Sequence, residues 1–446
     1  MAESIQRQHG GRARERGAAM PAAILASLAL AATVLAILEV LPALRRQTMA
    51  PRHLAEARYA AGNRVIREVL ESDGVAVTGP GGTAAADYGG GETVQRFPWG
   101  GFELVRAEAR RGPFRVTVAG LAGRRPRPES VAMAIAVGPE SLPLSVGGTS
   151  RIRGAIATGN AAVVTEPGYD GWQGTSRLLA NATVPEPDRE ALTRYLSRIF
   201  PLARDGGVRF MARPPGVERG SAWPVREARV PRGGLWKGDE IRLATTARHL
   251  RGPLRIAGPL LLVATAPLIL EAVEVEGPLL IISSAAVTLR AVRGAGVQVI
   301  SRRVIRVEGE THLAYPGWLW VHGDDADGIE VTTGSRLSGG VVLSGTERHS
   351  APGSTAPRLR IEAGAVVDGL VFSDRLVEID GRISGLVRAR RWFARVSPGI
   401  RLNAIRGGTV DRAALSDSLL LPRFFRRPGD HAAVVPLTES VAEVHR

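Results

Sequence analysis

Leu279-Leu280-Ile281-Ile282, Val297-Gln298-Val299-Ile300, Trp318-Leu319-Trp320-Val321 and Gly340-Val341-Val342-Leu343 belong to a series of short apolar strings. The series starts at Leu260-Leu261-Leu262-Val263 and runs on through Gly369-Leu370-Val371-Phe372 to Gly385-Leu386-Val387. The period is irregular, at about twenty residues. Most strings end on a small or polar residue: Ala264, Ser283, Ser301, Ser344 and Ser373. Between them lies a second set that alternates apolar with polar, including Leu268-Ile269-Leu270-Glu271, Val287-Thr288-Leu289-Arg290, Val304-Ile305-Arg306-Val307, Leu359-Arg360-Ile361-Glu362 and Val377-Glu378-Ile379-Asp380. Two short strands per turn, punctuated by Gly, Pro, Asp and Ser and repeated about seven times between Leu254 and Phe393, predict a parallel β-solenoid. Each coil of such an array buries its inward apolar row against the coils above and below it, so it is stable only as a stack.

Composition fits that reading. The 446 residues are 44% hydrophobic and 23% charged, which describes a folded chain, and 53 glycines with 29 prolines suit a β-rich protein with many tight turns. The absence of cysteine excludes disulfides and thiolate metal sites. A formal charge of +15 raises nucleic acid as a partner, but Lys237 is the only lysine among 58 basic residues and the arginines are scattered over every segment. A nucleic-acid partner is therefore not expected.

Residues 1–17 form a basic leader, and Ala18 to Leu38 carry no charge. At about 1.5 Å per residue that run is long enough for a hydrocarbon core of about 30 Å, so residues 18–44 are expected to form a transmembrane helix in contact with the lipid bilayer. The stretch after it, Leu41-Pro42-Ala43 followed by Leu44-Arg45-Arg46, is a poor signal-peptide cleavage site. The basic leader places the N-terminus in the cytoplasm and the remainder outside, in the periplasm or beyond, giving a single-pass protein of a bacterial inner membrane. Leu54, Ala57, Ala61, Val65 and Val69 keep helical spacing, so residues 45–74 are expected as a helical stalk docking on the first globular unit.

Residues 75–182 switch to strand periodicity and form a β-rich domain. Within it, Leu142-Pro143-Leu144-Ser145-Val146-Gly147-Gly148-Thr149 followed by Ile152-Arg153-Gly154-Ala155-Ile156 looks like the start of a first solenoid-like turn. In 183–250, Leu192, Tyr195, Leu196, Ile199 and Phe200 predict one amphipathic helix covering part of the β surface, started by Pro187-Asp188 and stopped by Pro201. A connector follows, then the solenoid over 251–420. Leu419-Leu420-Leu421-Pro422-Arg423-Phe424-Phe425 is expected to pack back as a cap, and 421–446 reads as cap and loose tail.

The order of basic leader, apolar helix, a Gly-rich segment containing Trp99-Gly100-Gly101-Phe102-Glu103, the 142–154 stretch and a Gly-punctuated solenoid resembles a family of uncharacterised bacterial single-pass membrane proteins associated with pseudopilin or type IV pilus-like assembly. Ile383-Ser384-Gly385-Leu386-Val387 is similar to the solenoid repeats of bactofilins, the polymer-forming bacterial cytoskeletal proteins. The resemblance implies an assembly role and supplies no catalytic residue. Gly17 precedes the apolar run, but Ala22 stands where a prepilin carries glutamate, so processing by a prepilin peptidase is not expected.

Candidate chemistry is sparse. Asp324, Asp325 and Asp327, directly after His322-Gly323, could hold Ca²⁺, but their spacing is not that of an EF-hand and Asp-Gly turns are routine in β proteins. Glu271, Glu308, Glu330, Glu362, Glu378 and Asp380 could converge as in a β-helix polysaccharide lyase or hydrolase, yet a solvated solenoid face must carry such charges anyway. Trp318 and Trp320 share one strand face and would suit a glycan or a covering element. The sequence therefore assigns no catalytic, cofactor or metal residue. It predicts a mainly β, non-catalytic structural protein with protein partners in an envelope assembly and scope for self-association; a carbohydrate-active enzyme or glycan-binding module on the same fold is the alternative.

Overall fold

The computed structural model describes residues 30, 35, 49–67, 84–87, 92–126, 132–138, 143–159, 162–178, 185–199, 208–211, 228–230, 234–236, 240–243, 249–257, 260–323, 326–345, 358–396, 399–416, 419–425 and 431–443. Most of these build a three-faced parallel β-solenoid of about nine turns. The broad face, A, takes the apolar strings. Leu260–Ala264, Leu279–Ser283, Val297–Ser301 and the matching parts of the following strands stack in parallel as far as residues 385–389. Face B stacks the alternating set, from 268–271 through Val287–Arg290, Val304–Glu308, Gly328–Val331 and Arg358–Ile361 to 376–379. Face C runs from 254–257 through 273–275, Arg293–Ala295, 312–313 and 336–338 to 366–368 and 382–384.

The stack then continues with an earlier part of the chain. Met133–Val137 pairs in parallel with 387–389 on face A, Leu144–Val146 with Ala404–Ile405 on face B, and Arg151–Arg153 with Thr409–Asp411 on face C. Ala155–Thr158, Val163–Thr165, Trp172–Gln173 and Ser176–Leu178 add the last layers. One coil is thus closed by residues 404–411 and 133–137 together.

Alternation along face A serves two cores. Leu260, Leu262, Leu279, Ile281, Val299, Leu319, Val341 and Val371 point inward, while Leu261, Val263, Leu280, Ile282, Ile300, Trp318, Trp320, Val342 and Phe372 point outward into a second, equally buried cluster. A strand buried on both faces reads as a continuous apolar run, which is why these strings lack polar alternation. The outward cluster is covered by three elements. They are helix Arg189–Ile199 (α2), the segment 415–425, and one side of an antiparallel sheet of Ala84–Asp87, Glu92–Trp99, Phe102–Arg111, Phe114–Arg125 and His431–Glu443. The last of these strands pairs along Phe114–Arg125, so most of what reads as a loose tail is an edge strand. A helix over residues 49–67 (α1) packs Ala57, Ala61 and Val65 against Val105, Ala107, Ala109 and Val116 of the same sheet.

The expected transmembrane helix is corrected. Among the described residues no helix is long and apolar enough to cross a membrane, and the continuous helical runs are α1 and α2. α1 carries Arg52, Glu56, Arg58, Arg64 and Arg67, and its small residues pack on protein; α2 is an amphipathic strap. Residues 18–44 lie outside the described residues except Leu30 and Leu35, which are helical and exposed.

Two local devices hold the layers. At the corner between faces C and A, Gly317, Gly339, Gly369 and Gly385 stack on one another. Gly339 and Gly369 have φ of 144° and 152°, and a Cβ on either would run into the carbonyl oxygen of the glycine one coil before. The tight turn Gly100-Gly101 of the antiparallel sheet is gripped from three sides: Gly100 N–H donates to Tyr195 Oη of α2 at 3.0 Å, Gly101 N–H donates to Gln298 Oε1 at 3.0 Å, and Gly101 C=O accepts from Arg423 N–H at 2.6 Å. Gln298, 1% exposed, is the one polar side chain in its apolar string.

Gly369→Ala should lower stability by more than about 2 kcal/mol or prevent soluble expression, read by denaturant melts. Gln298→Leu strands the Gly101 N–H in an apolar cluster and should cost about 1–3 kcal/mol, with the solenoid's own circular dichroism unchanged.

Candidate functional site

Three clusters of polar groups and one unpaired end could act on something outside the fold. The first lies where α2 crosses face A. Pro187-Asp188 starts the helix, with Asp188 Oδ1 accepting from Ala191 N–H at 2.8 Å, and Leu192 and Leu196 face inward. Beneath it Ser344 Oγ lies 2.9 Å from His322 Nδ1, and His322 Nε2 lies 2.8 Å from Thr193 Oγ1. Trp320 Nε1–H donates to Ser344 Oγ at 2.9 Å, and Thr193 Oγ1–H donates to the Arg189 carbonyl at 2.8 Å. With the Thr193 proton committed to Arg189, its oxygen accepts from His322 Nε2–H. Nδ1 of a neutral ring is then the acceptor for Ser344 O–H. A serine beside a histidine invites a nucleophile reading, but Ser344 is 0% exposed and its oxygen also takes the Trp320 proton, so no carbonyl carbon can reach it. The chain fastens α2 to the solenoid.

The same junction holds Asp374, with one oxygen 2.7 Å from Arg189 Nη2, and Arg388, which pairs with Glu186 and lies 5.6 Å from the Phe372 ring centre. Burial pushes the Asp374 carboxyl above the ordinary aspartate value of 3.8, outweighing the attraction of Arg189 and Arg388.

The second cluster is the turn after His322. Arg375, itself buried, donates to the carbonyls of Gly323 and Ala326 at 2.9 Å each, and Asp327 pairs with Arg303 at 3.2 Å. The Arg375 guanidinium thus ties the two ends of this turn; Asp324 and Asp325 lie outside the described residues. Among the described residues no group of three or more His, Asp or Glu is placed to hold a metal ion.

The third cluster is the row of carboxylates on face B. The stack brings them together, but interleaved with arginine: Glu308 with Arg290 at 2.7 Å, Glu330 with Arg360 at 3.3 Å and Arg306 at 3.8 Å, and Glu362 with Arg360 at 2.8 Å. Glu378, almost fully buried, stands 2.9 Å from Arg395, 3.4 Å from Arg360 and 3.6 Å from Arg358, close enough for ion pairing though not aligned for hydrogen bonds. Glu271 lies 2.6 Å from His249, and Asp380 stands exposed at a corner. A lyase or hydrolase needs a carboxyl free to take or give a proton. Here each carboxylate except Asp380 already faces a basic group of a neighbouring coil or its own.

Trp318 and Trp320 are each 2% exposed, packed edgewise or tilted against Phe102, Phe424 and Phe425 at 5.7–6.0 Å. The Gly340 position, one coil on, leaves the room that the Trp318 indole fills. They belong to the joint between layers, not to a glycan groove.

The remaining feature is the end of the stack. At the Leu260 end, Val208–Met211 lies antiparallel on Leu260–Ala264 and Ala228–Val230 lies antiparallel on His249–Ala257, so that end is capped by strands. At the other end, Val163–Thr165, Trp172–Gln173 and Ser176–Leu178 each pair on one side only among the described residues. Trp172 Nε1 donates to Gly154 C=O at 3.2 Å and Tyr169 Oη to Ser150 C=O at 3.1 Å, so two half-buried rings roof the core. Val164 and Leu178 are exposed. Beside them a ribbon formed by 393–396 and Gly399–Leu402 stands off face B, with Ile400 and Leu402 exposed and Arg401 reaching Glu166 at 3.4 Å.

Comparison with known proteins adds little. No protein-family model matches the sequence, and no curated protein does. Among solved structures the competence-associated pilin ComZ from Thermus thermophilus is matched over 82% of this chain and 87% of that one, at 11% identity and a TM-score of 0.21. A score of that size does not define a shared fold.

Sequence reading left several roles unassigned: Gln298 as the hairpin's acceptor, Arg375 as the tie across the acidic turn, and Thr193 as the partner of His322. An isolated polar residue in an apolar string was the available signal for the first. Thr193 and Arg375 are ordinary surface-type residues whose partners lie 129 and 49–52 positions away.

Ser344→Ala removes the acceptor of Trp320 and the donor to His322, and should destabilise by about 1–3 kcal/mol in thermal or denaturant melts. The folded-state pKa of Asp374 lies above the unfolded one, so its contribution to stability is complete below 3.8 and is lost as pH rises through the raised value. Asp374→Asn should accordingly raise the melting temperature at pH 7 relative to the parent, and the gap should close as pH falls toward 3.8.

Proposed function

We propose that this chain is a non-catalytic structural protein of a bacterial envelope assembly, a pilus-like or secretion-type component, acting through a rigid β-solenoid. The observation that carries the reading is the contrast along the stack. The flanking charges are matched between coils and the broad face is covered by the chain's own helix, sheet and cap, whereas one end offers strand edges and apolar side chains to another molecule. A stack whose coils each pair with the next resists bending, and it presents that end at a fixed distance from the α1 and sheet unit. Support also comes from the way α1 lies along an antiparallel sheet, which leaves Met49, Tyr59 and Ile66 exposed for contact with a neighbouring subunit.

The test is contact mapping in intact cells. Lys237 is the only lysine, so amine-reactive reagents are of little use and a photoreactive residue is placed instead at Tyr59, Arg382 and Ile400 in turn. Cross-links to subunits of a pilus or secretion machine are expected from at least one position; capture of sugar polymer alone from all three would overturn the proposal in favour of a carbohydrate-active or glycan-binding protein.

A further inference from the structure

The open end also specifies what it can take. We propose that the terminal coil accepts an extended, acidic strand from another protein, laid antiparallel on the edge of Ser176–Leu178; this rests on the scaffold reading above and names the chemistry of its partner. The first argument is the fold's own solution at the opposite end. There Val208–Met211 runs antiparallel along the outermost face-A strand, with Val208 opposite Ala264 and Met211 opposite Leu261. The outermost face-A strand at this end is Ser176–Leu178, and among the described residues it has only its inner neighbour Ala155–Thr158.

The backbone is set for such an addition. Ile156 N–H donates to Thr175 C=O at 2.9 Å, which fixes the phase of the parallel ladder. By alternation Arg177 faces the inner strand with its backbone groups, and Ser176 and Leu178 direct theirs outward. All three residues of this strand are exposed, Leu178 at 55%. An added strand would pair these groups and cover an apolar side chain that continues the inward column above Thr158.

Charge selects the occupant. The rim is mostly basic: against the exposed Asp170, Arg177 and Arg151 are exposed and make no ion pair among the described residues, Arg153 is 66% exposed and meets Asp411 only at 3.6 Å, and Arg401 and Arg406 both share the single carboxylate of Glu166. A second copy of this chain would bring the same arginines and a net charge of +15 to the contact, and a two-fold pairing of Ser176–Leu178 with itself would set Arg177 against Arg177. An acidic strand avoids that repulsion.

The full-length protein is titrated against two fluorescent octapeptides, alternating Val-Glu and alternating Val-Lys, with anisotropy as the readout. The Val-Glu peptide should bind saturably, at least about tenfold tighter than Val-Lys, and weaken with salt. Leu178→Pro removes an outward N–H without touching the inner ladder and should abolish that binding at an unchanged melting temperature, while Leu178→Ala should retain most of it. Arg177→Glu, a surface change that does not depend on proline being tolerated, should reverse the preference between the peptides. Equal binding of both peptides, binding that survives Leu178→Pro and Arg177→Glu, absence of saturable binding, or a dimer of the protein alone that Leu178→Pro dissociates would each overturn the proposal. These outcomes leave the in-cell contacts mapped from Tyr59, Arg382 and Ile400 as a separate question, so the scaffold reading stands or falls independently.

Discussion

The rest of the molecule depends on one constraint: each strand of the broad face must satisfy two apolar cores at once. Inward residues such as Ile281, Leu319 and Val341 hold the coils together, and outward ones such as Ile282, Trp318 and Phe372 hold everything else to the coils. A polar side chain on either side of these strands costs its desolvation unless it is met by a partner. Two exceptions have such partners. Gln298 meets the hairpin amide, and Arg388 lies on the Phe372 ring and pairs with Glu186 at the entry to α2. Polar residues inside the broad face are therefore docking points, and they mark where the antiparallel sheet and the helix sit.

The interleaved chain follows from the same logic. Residues 133–178 could have formed a small solenoid alone, but two coils and a further strand with two open ends would leave apolar rows uncovered at both. Stacked on 382–411 they leave one end, and the coil shared by 404–411 and 133–137 ties the two halves of the sequence together. The corresponding loop is long, yet closure entropy grows only slowly with length, whereas every added coil contributes its full inward row. The pairing is non-local all the same, with residues 133–153 stacked on strands more than 200 positions later.

Much of this architecture was legible in the sequence because period and burial are coupled. Strings such as Leu279-Leu280-Ile281-Ile282 declared strands buried on both sides, the alternating set declared face B, and Ser283, Ser301, Ser344 and Ser373 marked the corners. Ser283 and Ser301 bond the Ala285 carbonyl there, and Ser373 accepts from Arg375 N–H. Leu192, Tyr195, Leu196 and Ile199 declared α2, whose apolar stripe has the 3.6-residue period of a helix lying on a flat surface. What was not legible was long-range order. No local pattern says that Met133–Val137 stacks on residues 387–389, or that His431–Glu443 joins a sheet whose other strands end some 300 residues earlier. The uncharged run at 18–38 predicts a membrane span from apolarity and length alone, whereas among the described residues no helix is long and apolar enough to cross a membrane.

The charges on face B carry the last step. Were the solenoid an enzyme, the carboxylates its stack aligns would be the natural place for chemistry, and one of them would need a pKa moved by an apolar neighbour or a second acid. In the stack Arg290, Arg306 and Arg360 are inserted between Glu308, Glu330, Glu362 and Glu378, so that like charges on adjacent coils do not face each other. That pattern is what a parallel stack requires for its own stability, because identical strands one coil apart place their outward side chains in register. Face B thus neutralises itself from coil to coil, and among the described residues the stacking stops at the strand edges of 163–178.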